Sequence, residues 1–215
     1  MRNRTDLKVT LFLIRHGETA ANREHRYLGR TDEPLSEAGR AELILKKKEI
    51  TSFALMLFSS PMLRCRQTAE ILFPEKDPVL IPEWAEMDFG RFEGKNYKEL
   101  NGDADYQAWI DSGGTLPFPG GESREDFIRR TTMGFERAME YLRKQSTLGN
   151  VLEIQAAAVV HGGTIMALCS FFSGGAYFDF QVENGSGYVC RFSLPAVQAD
   201  GVEYVQKHGM EIRKL

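Results

Sequence analysis

The stretch TLFLIRHGETAAN, residues 10–22, is apolar through Ile14 and then passes in one step to Arg15, His16 and Gly17. Residues 8–14 are β-branched or apolar almost throughout, the pattern of a strand covered on both faces in an α/β sheet, and so a central one. In open α/β sheets ligands collect outside the carboxyl ends of the strands. A cation, a titratable ring and a glycine at that end therefore mark a candidate site. Gly17, without a Cβ, permits a tight exit from the strand and close approach by a ligand.

Strand, turn and helix recur twice more. SEAGRAELILKKKEI (36–50) reads as a helix capped by Ser36 with Leu35 as a staple, its apolar stripe being Ala41, Ile44 and Leu45. FALMLF (53–58) is a second apolar run, followed by a helix with Ser60 as N-cap and Pro61 in its first position, which puts Arg64 in the first turn. AAAVV (156–160) is a third run and leads into His161, Gly162, Gly163 and a further helix. The pattern predicts a largely parallel sheet with helices on both faces.

Residues 74–121 break the rhythm with prolines, glycines and both tryptophans, and with short helical pieces at YKEL and DADYQAWI. They read as a lid-like insertion over the sheet, within a single domain spanning 1–215. Residues 123–145 form a long helix with Phe127, Thr131, Phe135, Ala138 and Leu142 on one face. GYVCRFSL (187–194) and GVEYVQ (201–206) are expected as antiparallel edge strands.

Composition bounds the function. At 215 residues and 42% hydrophobic content, with 14 Phe, the chain can bury one sizeable core. A net charge of −3 lacks the basic footprint of a nucleic-acid binder, so an anion site has to be built from a few local cations. Cys65, Cys169 and Cys190 are odd in number and widely spaced, which argues against a zinc or disulfide framework. The apolar LFLI near the N-terminus is too brief for a signal core or a membrane span, and the cytoplasm is the expected location.

Arg15 and His16, Ser59 to Arg64, and His161 with Gly162 all fall at predicted strand ends. Two His and two Arg that converge suit a phosphate, because the guanidinium fork matches phosphate oxygens and a helix start adds backbone N–H donors. A neutral His can take a phosphoryl group and pass it to water. Flanking arginines favour that neutral state.

LIRHGETAAN, SSPMLRCRQTAEIL, EMDFGRFEG, PGGES and VVHGG occur in that order, and over roughly residues 8–175 the chain resembles the histidine phosphatase superfamily, which includes the cofactor-dependent phosphoglycerate mutases. The resemblance implies a three-layer α/β/α sandwich and a phosphomonoesterase of histidine acid phosphatase type that needs no metal or other cofactor. It implies that His16 is phosphorylated, and that Arg15, Arg64, His161 and its neighbour Gly162 hold the phosphate together with Asn22. It implies that Glu86 protonates the leaving oxygen. A carboxyl set among Trp84, Phe89 and Phe92 has reason to keep its proton.

The mutases' Tyr-Gly and Asn-Lys blocks are replaced here by EMDFGRFEGKNYKEL, which favours a hydrolase. The combination DFGRFEG, YQAWIDS and PFPGGES is most similar to α-ribazole phosphatases of cobamide synthesis; a phosphoglycerate mutase and a broad-specificity or sugar-phosphate phosphatase are the alternatives. All seven of these candidate residues are present, so a catalytically dead module is disfavoured. The expected partner is a small phosphorylated metabolite, with neither nucleic acid nor membrane, and a homodimer is left open.

Plainer readings stand beside these. His161 alone would be a structural histidine, Arg66 a surface charge, and Lys46 to Lys48 a solvated helix face. His25 and His208 are expected at the surface. PGGES divides evenly between a helix start, with Ser123 as cap and Glu122 as dipole partner, and a place at the substrate rim. Trp84, Trp109 and Phe118 are candidates for leaving-group contacts, against a role in packing alone.

Overall fold

The computed structural model describes residues 6–50, 56–195 and 200–215, the side chains of 48–50 aside. Residues 53–55 of the second apolar run lie outside these. Among the described residues the elements are β1 (Leu7–Arg15), α1 (Ala20–Arg23), α2 (Glu37–Ile50), β2 (Met56–Ser59), α3 (Leu63–Leu72), β3 (Val79–Leu80), α4 (Ala104–Asp111), α5 (Arg124–Gly149), β4 (Glu153–Val160), α6 (Gly162–Ser173), β5 (Gly187–Leu194), α7 (Gly201–His208) and β6 (Glu211–Lys214). Single 3-10 turns lie at Pro82–Trp84, Gly90–Phe92 and Tyr177–Phe180. No helix among the described residues is long and apolar enough to cross a membrane.

The six strands form one sheet in the order β3-β2-β4-β1-β5-β6. β1 is central, parallel to β4 through the pairing of Arg15 with Val160 and antiparallel to β5. Side-chain alternation divides the core into two layers. Leu11, Leu13, Phe58, Ala156 and Ala158 pack with Phe135, Met139 and Leu142 of α5 and Ile165 and Leu168 of α6. Ile14, Leu57, Ala157 and Val159 face the opposite way, toward Leu43 of α2 and Cys65, Ala69 and Leu72 of α3. The fold is the expected α/β/α sandwich with an antiparallel edge, and the predicted face of α5 is its buried face.

Several local expectations are corrected. Among the described side chains of α2 the buried residues are Gly39 and Leu43, whereas Ile44 and Leu45 are exposed. A Cβ on Gly39 would lie 2.3 Å from the Glu18 carbonyl, and this backbone-to-backbone contact sets the helix face. Gly17 has no positive φ; a Cβ there would meet Leu43 Cδ1 at 2.6 Å, so the glycine makes room for α2. Helix α3 starts at Leu63 with Met62 as N-cap, because Asp32 Oδ1 accepts from Leu63 N at 2.6 Å. YKEL lies in turns: Asn96 Oδ1 accepts from the amides of Lys98 and Glu99 and closes a local loop. GVEYVQ is helical, since Asp200 caps Glu203 N and Val205 is buried at helical spacing. The edge strand is β6 instead, antiparallel to β5.

Candidate active site

The carboxyl ends of β1, β2 and β4 meet as the spacing predicts. The His16 and His161 rings lie edge to face with centroids 5.2 Å apart, and both are buried. His16 Nδ1 lies 2.7 Å from the Gly17 carbonyl. A carbonyl only accepts, so this nitrogen carries the proton and Nε2 keeps its lone pair. Burial holds the His16 pKa well below its ordinary value, with Arg64 and Arg15 adding to the effect in that order. The sequence reading credited the arginines alone; desolvation is the larger cause.

His161 is lowered in the same way, by burial first and then by Arg64, His16 and Arg15. Its Nδ1 accepts from Arg64 Nε at 3.3 Å, which leaves Nε2–H to donate to Ser60 Oγ at 2.8 Å. Ser60, read from sequence as a helix cap, is thus a site residue that sequence reasoning missed. Its position one step past a strand end, like that of His16 and His161, was the available signal.

The two arginines are placed differently. Arg64 is fully buried, and the carbonyls of Leu28, Gly29 and Thr31 accept from its Nη atoms at 3.0–3.3 Å. Most of its donors are committed within the protein. Arg15 donates from Nη1 to the Val182 carbonyl at 2.7 Å, while its buried Nε has no partner among the described residues. A Cβ at Gly162 would stand 3.4 Å from that Nε, so the glycine keeps its approach open. Asn22 spends its Oδ1 on Thr19 N and on Asn184 Nδ2, which leaves the amide NH₂ as its donating end. Asn184 also donates to the His16 carbonyl, and no sequence signal pointed to it.

Glu86 is brought to the same place from the 74–121 segment. Its Oε1 accepts from Met87 N at 2.9 Å and its Oε2 from Gly163 N at 3.4 Å. Burial raises its pKa, against the opposing pull of these amides and the two arginines. A cavity of about 300 Å³ opens beside Arg15, Glu86 and Gly162, walled by Tyr27, Phe89, Trp109, Phe118, Tyr177 and Phe178, with Arg124 among them. Trp109 and Phe118 therefore line the site. Trp84 does not: it is fully buried in the core, with its Nε1 donating to the Thr131 carbonyl.

In PGGES, Ser123 caps α5 as expected, but Glu122 pairs with Arg130 at 2.8 Å and is no simple dipole partner. Arg66, His25 and His208 are exposed. Lys46 is half-buried and pairs with Glu42. Among the described residues no group of three or more His, Cys, Asp or Glu is placed to hold a metal ion.

A family model described as histidine phosphatase superfamily (branch 1) matches residues 11–199. The chain belongs to that superfamily. Among its relatives, the adenosylcobalamin/α-ribazole phosphatase of Escherichia coli (strain K12) is 31% identical over 186 residues, 82% of this chain and 87% of the relative. The 2,3-bisphosphoglycerate-dependent phosphoglycerate mutase of Nitrobacter winogradskyi is 31% identical over 170 residues, 74% of this chain and 78% of that protein. The crystal structure of the α-ribazole phosphatase from Shigella flexneri matches with a TM-score of 0.70 at 25% identity, over 84% of this chain and 89% of that one. This superfamily member thus has relatives named as phosphatases and as mutases.

Proposed function

We propose that this histidine phosphatase superfamily member is a phosphomonoester hydrolase acting through a phosphohistidine on His16, with α-ribazole phosphate as its substrate. The observation that carries the reading is the His16 ring, held neutral by burial and fixed through Nδ1 on the Gly17 carbonyl, so that Nε2 is the free nucleophile. Nε2 attacks phosphorus and the P–O bond to the leaving group breaks. Arg15 Nε, Asn22 and the remaining Nη1 donor of Arg64 bind phosphate oxygens. Glu86 delivers its proton to the departing oxygen, then as carboxylate takes a proton from the water that cleaves the phosphoramidate and regenerates His16.

The substrate reading rests on the relatives' names and on the cavity wall, whose aromatic side chains suit the flat heteroaromatic base carried by the leaving ribose. One observation favours a mutase instead. Arg124 lines the cavity, its Nη2 donating to the Gly113 carbonyl at 3.1 Å and its guanidinium lying over the Tyr177 and Phe178 rings, and such a cation could hold the second anionic group of a phosphoglycerate.

A kinetic screen of α-ribazole phosphate, phosphoglycerates, sugar phosphates and nucleotides, with mutase product assayed in parallel, separates these readings. Released phosphate with α-ribazole phosphate as the best substrate is expected; net isomerisation without release overturns the hydrolase. His16→Ala should abolish turnover because it removes the nucleophile, and activity within about tenfold of wild type would refute the covalent route. Enzyme quenched in alkali should retain bound phosphate that acid quenching releases, the behaviour of a phosphoramidate.

A further inference from the structure

We infer that Arg130 and Glu122, on and just before α5, form a clamp that aims the Glu86 carboxyl at the leaving oxygen, and so act as positioning residues for proton transfer. The inference rests on the reading of Glu86 as the acid.

The segment that carries Glu86 has almost no regular structure to hold it: a single 3-10 turn ends at Trp84 and another begins only at Gly90. Its backbone carbonyls need partners, and Arg130 supplies them. Its Nη1 donates to the carbonyls of Glu83 and Ala85 at 2.8 and 2.9 Å, and its Nη2 donates to the carbonyl of Glu86 itself at 3.3 Å. The same guanidinium is fixed from its other edge by Glu122, through Nε to Oε1 at 3.0 Å and Nη2 to Oε2 at 2.8 Å. That is a side-on bidentate pair, the geometry that a planar fork makes and an ammonium does not. The Arg130 guanidinium also lies 5.0 Å over the Phe127 ring.

Glu122 closes the far end of the segment as well. Its amide donates to the Asp88 carbonyl at 2.9 Å. The approach is close enough that a Cβ on Gly121 would sit 2.4 Å from that same oxygen, which accounts for the glycine before Glu122. Residues 83–88 are therefore pinned at one end by the Arg130 side chain and at the other by Glu122, through its main-chain amide and, at 3.5 Å, through its Oε2, which accepts from Asp88 N. The Arg130 and Glu122 side chains are only 29% and 15% exposed, so this is not a solvent-screened surface bridge.

A carboxyl donates to a leaving oxygen only if its direction is fixed, since proton transfer requires a short and aligned approach. With carbonyls 83, 85 and 86 released, the Glu86 Cα–Cβ direction is free to wander while Arg15, at the end of β1, and His16, one step past it, are untouched. The damage should be confined to the step that needs a proton.

The test is leaving-group dependence. Wild type, Arg130→Met, Arg130→Lys, Glu122→Gln and Glu86→Gln are assayed on an alkyl phosphate and on p-nitrophenyl phosphate, whose leaving group needs no proton. Arg130→Met and Arg130→Lys should lose at least about tenfold in kcat/KM on the alkyl ester and less than about threefold on the aryl ester, within the range that a general acid supplies. Glu122→Gln should show the same bias more weakly. Arg130→Met added to Glu86→Gln should cost nothing further on either ester. Arg137→Ala serves as the control, because among the described residues Arg137 on the same helix bonds the Glu83 side chain alone, and its ratio should stay at the wild-type value.

Equal losses on both esters, no loss on either, or the same bias in Arg137→Ala would overturn the clamp. Where Arg130→Met does not fold, Glu122→Gln and Arg130→Lys decide. If Glu86→Gln itself shows no leaving-group bias, the acid assignment fails. If it does and the Arg130 variants do not, only the clamp fails.

Discussion

In the proposed mechanism His16 reacts only as the free base, and its surroundings act in that direction: burial, two guanidinium groups and a proton parked on Nδ1 all disfavour a second charge. Glu86 has the opposite requirement and meets it by the same means, since burial disfavours its ionised form. The rate of phosphoenzyme formation from an alkyl phosphate should therefore hold steady down through pH 6, where an ordinary histidine near 6.5 would already be protonating. It should fall at higher pH as Glu86 gives up its proton. Glu86→Gln should remove that alkaline limb, and an aryl phosphate should lack it even in wild type. A limb unchanged in Glu86→Gln would mean that another group titrates. Ser60 poses a separate question. Its replacement by Ala strands the buried Nε2–H of His161, and the protein should lose about 1–3 kcal/mol of unfolding free energy in urea titrations. A loss near zero would mean that His161 finds another partner.

Helices and strands were legible from the sequence to very different degrees. Strands β1, β2 and β4 announced themselves as apolar runs because both faces are covered, whereas the two-residue β3 did not; His16 and His161, each one step past a strand, were legible as candidates, and Ser60, placed likewise, was not. Helix faces decided by close backbone contact were not. Nothing in the sequence of α2 says that Gly39 rests on the Glu18 carbonyl, so the periodicity of Ala41, Ile44 and Leu45 pointed the wrong way. In α7, Val202 and Tyr204 on either side of Glu203 resemble strand alternation until Asp200 is seen to cap the turn. The α2 correction has a measurable consequence. Leu43→Ala should destabilise by about 2–5 kcal/mol, as for a buried leucine in a packed core. Leu45→Ala, whose leucine is 80% exposed, should stay within about 0.5 kcal/mol. Comparable losses at both positions would return the helix to the face that the sequence pattern favoured. The clamp on Glu86 was illegible for another reason: its bonds join residues 44–47 positions apart through main-chain carbonyls, which leave no trace in side-chain pattern.

On the scale of the whole molecule, the site is a cluster of ionisable groups buried against their solvation preference, and the fold carries the cost. The pH dependence of stability exposes that cost with a definite sign. For His16 and His161 the folded pKa is depressed, so the unfolded chain binds more protons; their contribution is present above about pH 6.5 and is lost as pH falls toward the folded values. For Glu86 the folded pKa is raised. Its contribution is present below the ordinary carboxyl value and is lost as pH rises through the folded one. Glutamine keeps the shape without the ionisation. The stability difference between Glu86→Gln and wild type should therefore grow in favour of the variant from about pH 4.5 upward, by about 1.4 kcal/mol for each unit by which burial raises the folded pKa, and then level off. Urea denaturation of both proteins from pH 4 to pH 9 measures it. A difference that stays flat across that range would put the Glu86 carboxyl in surroundings like water, and would leave the site without a group able to hold a proton for the leaving oxygen at neutral pH.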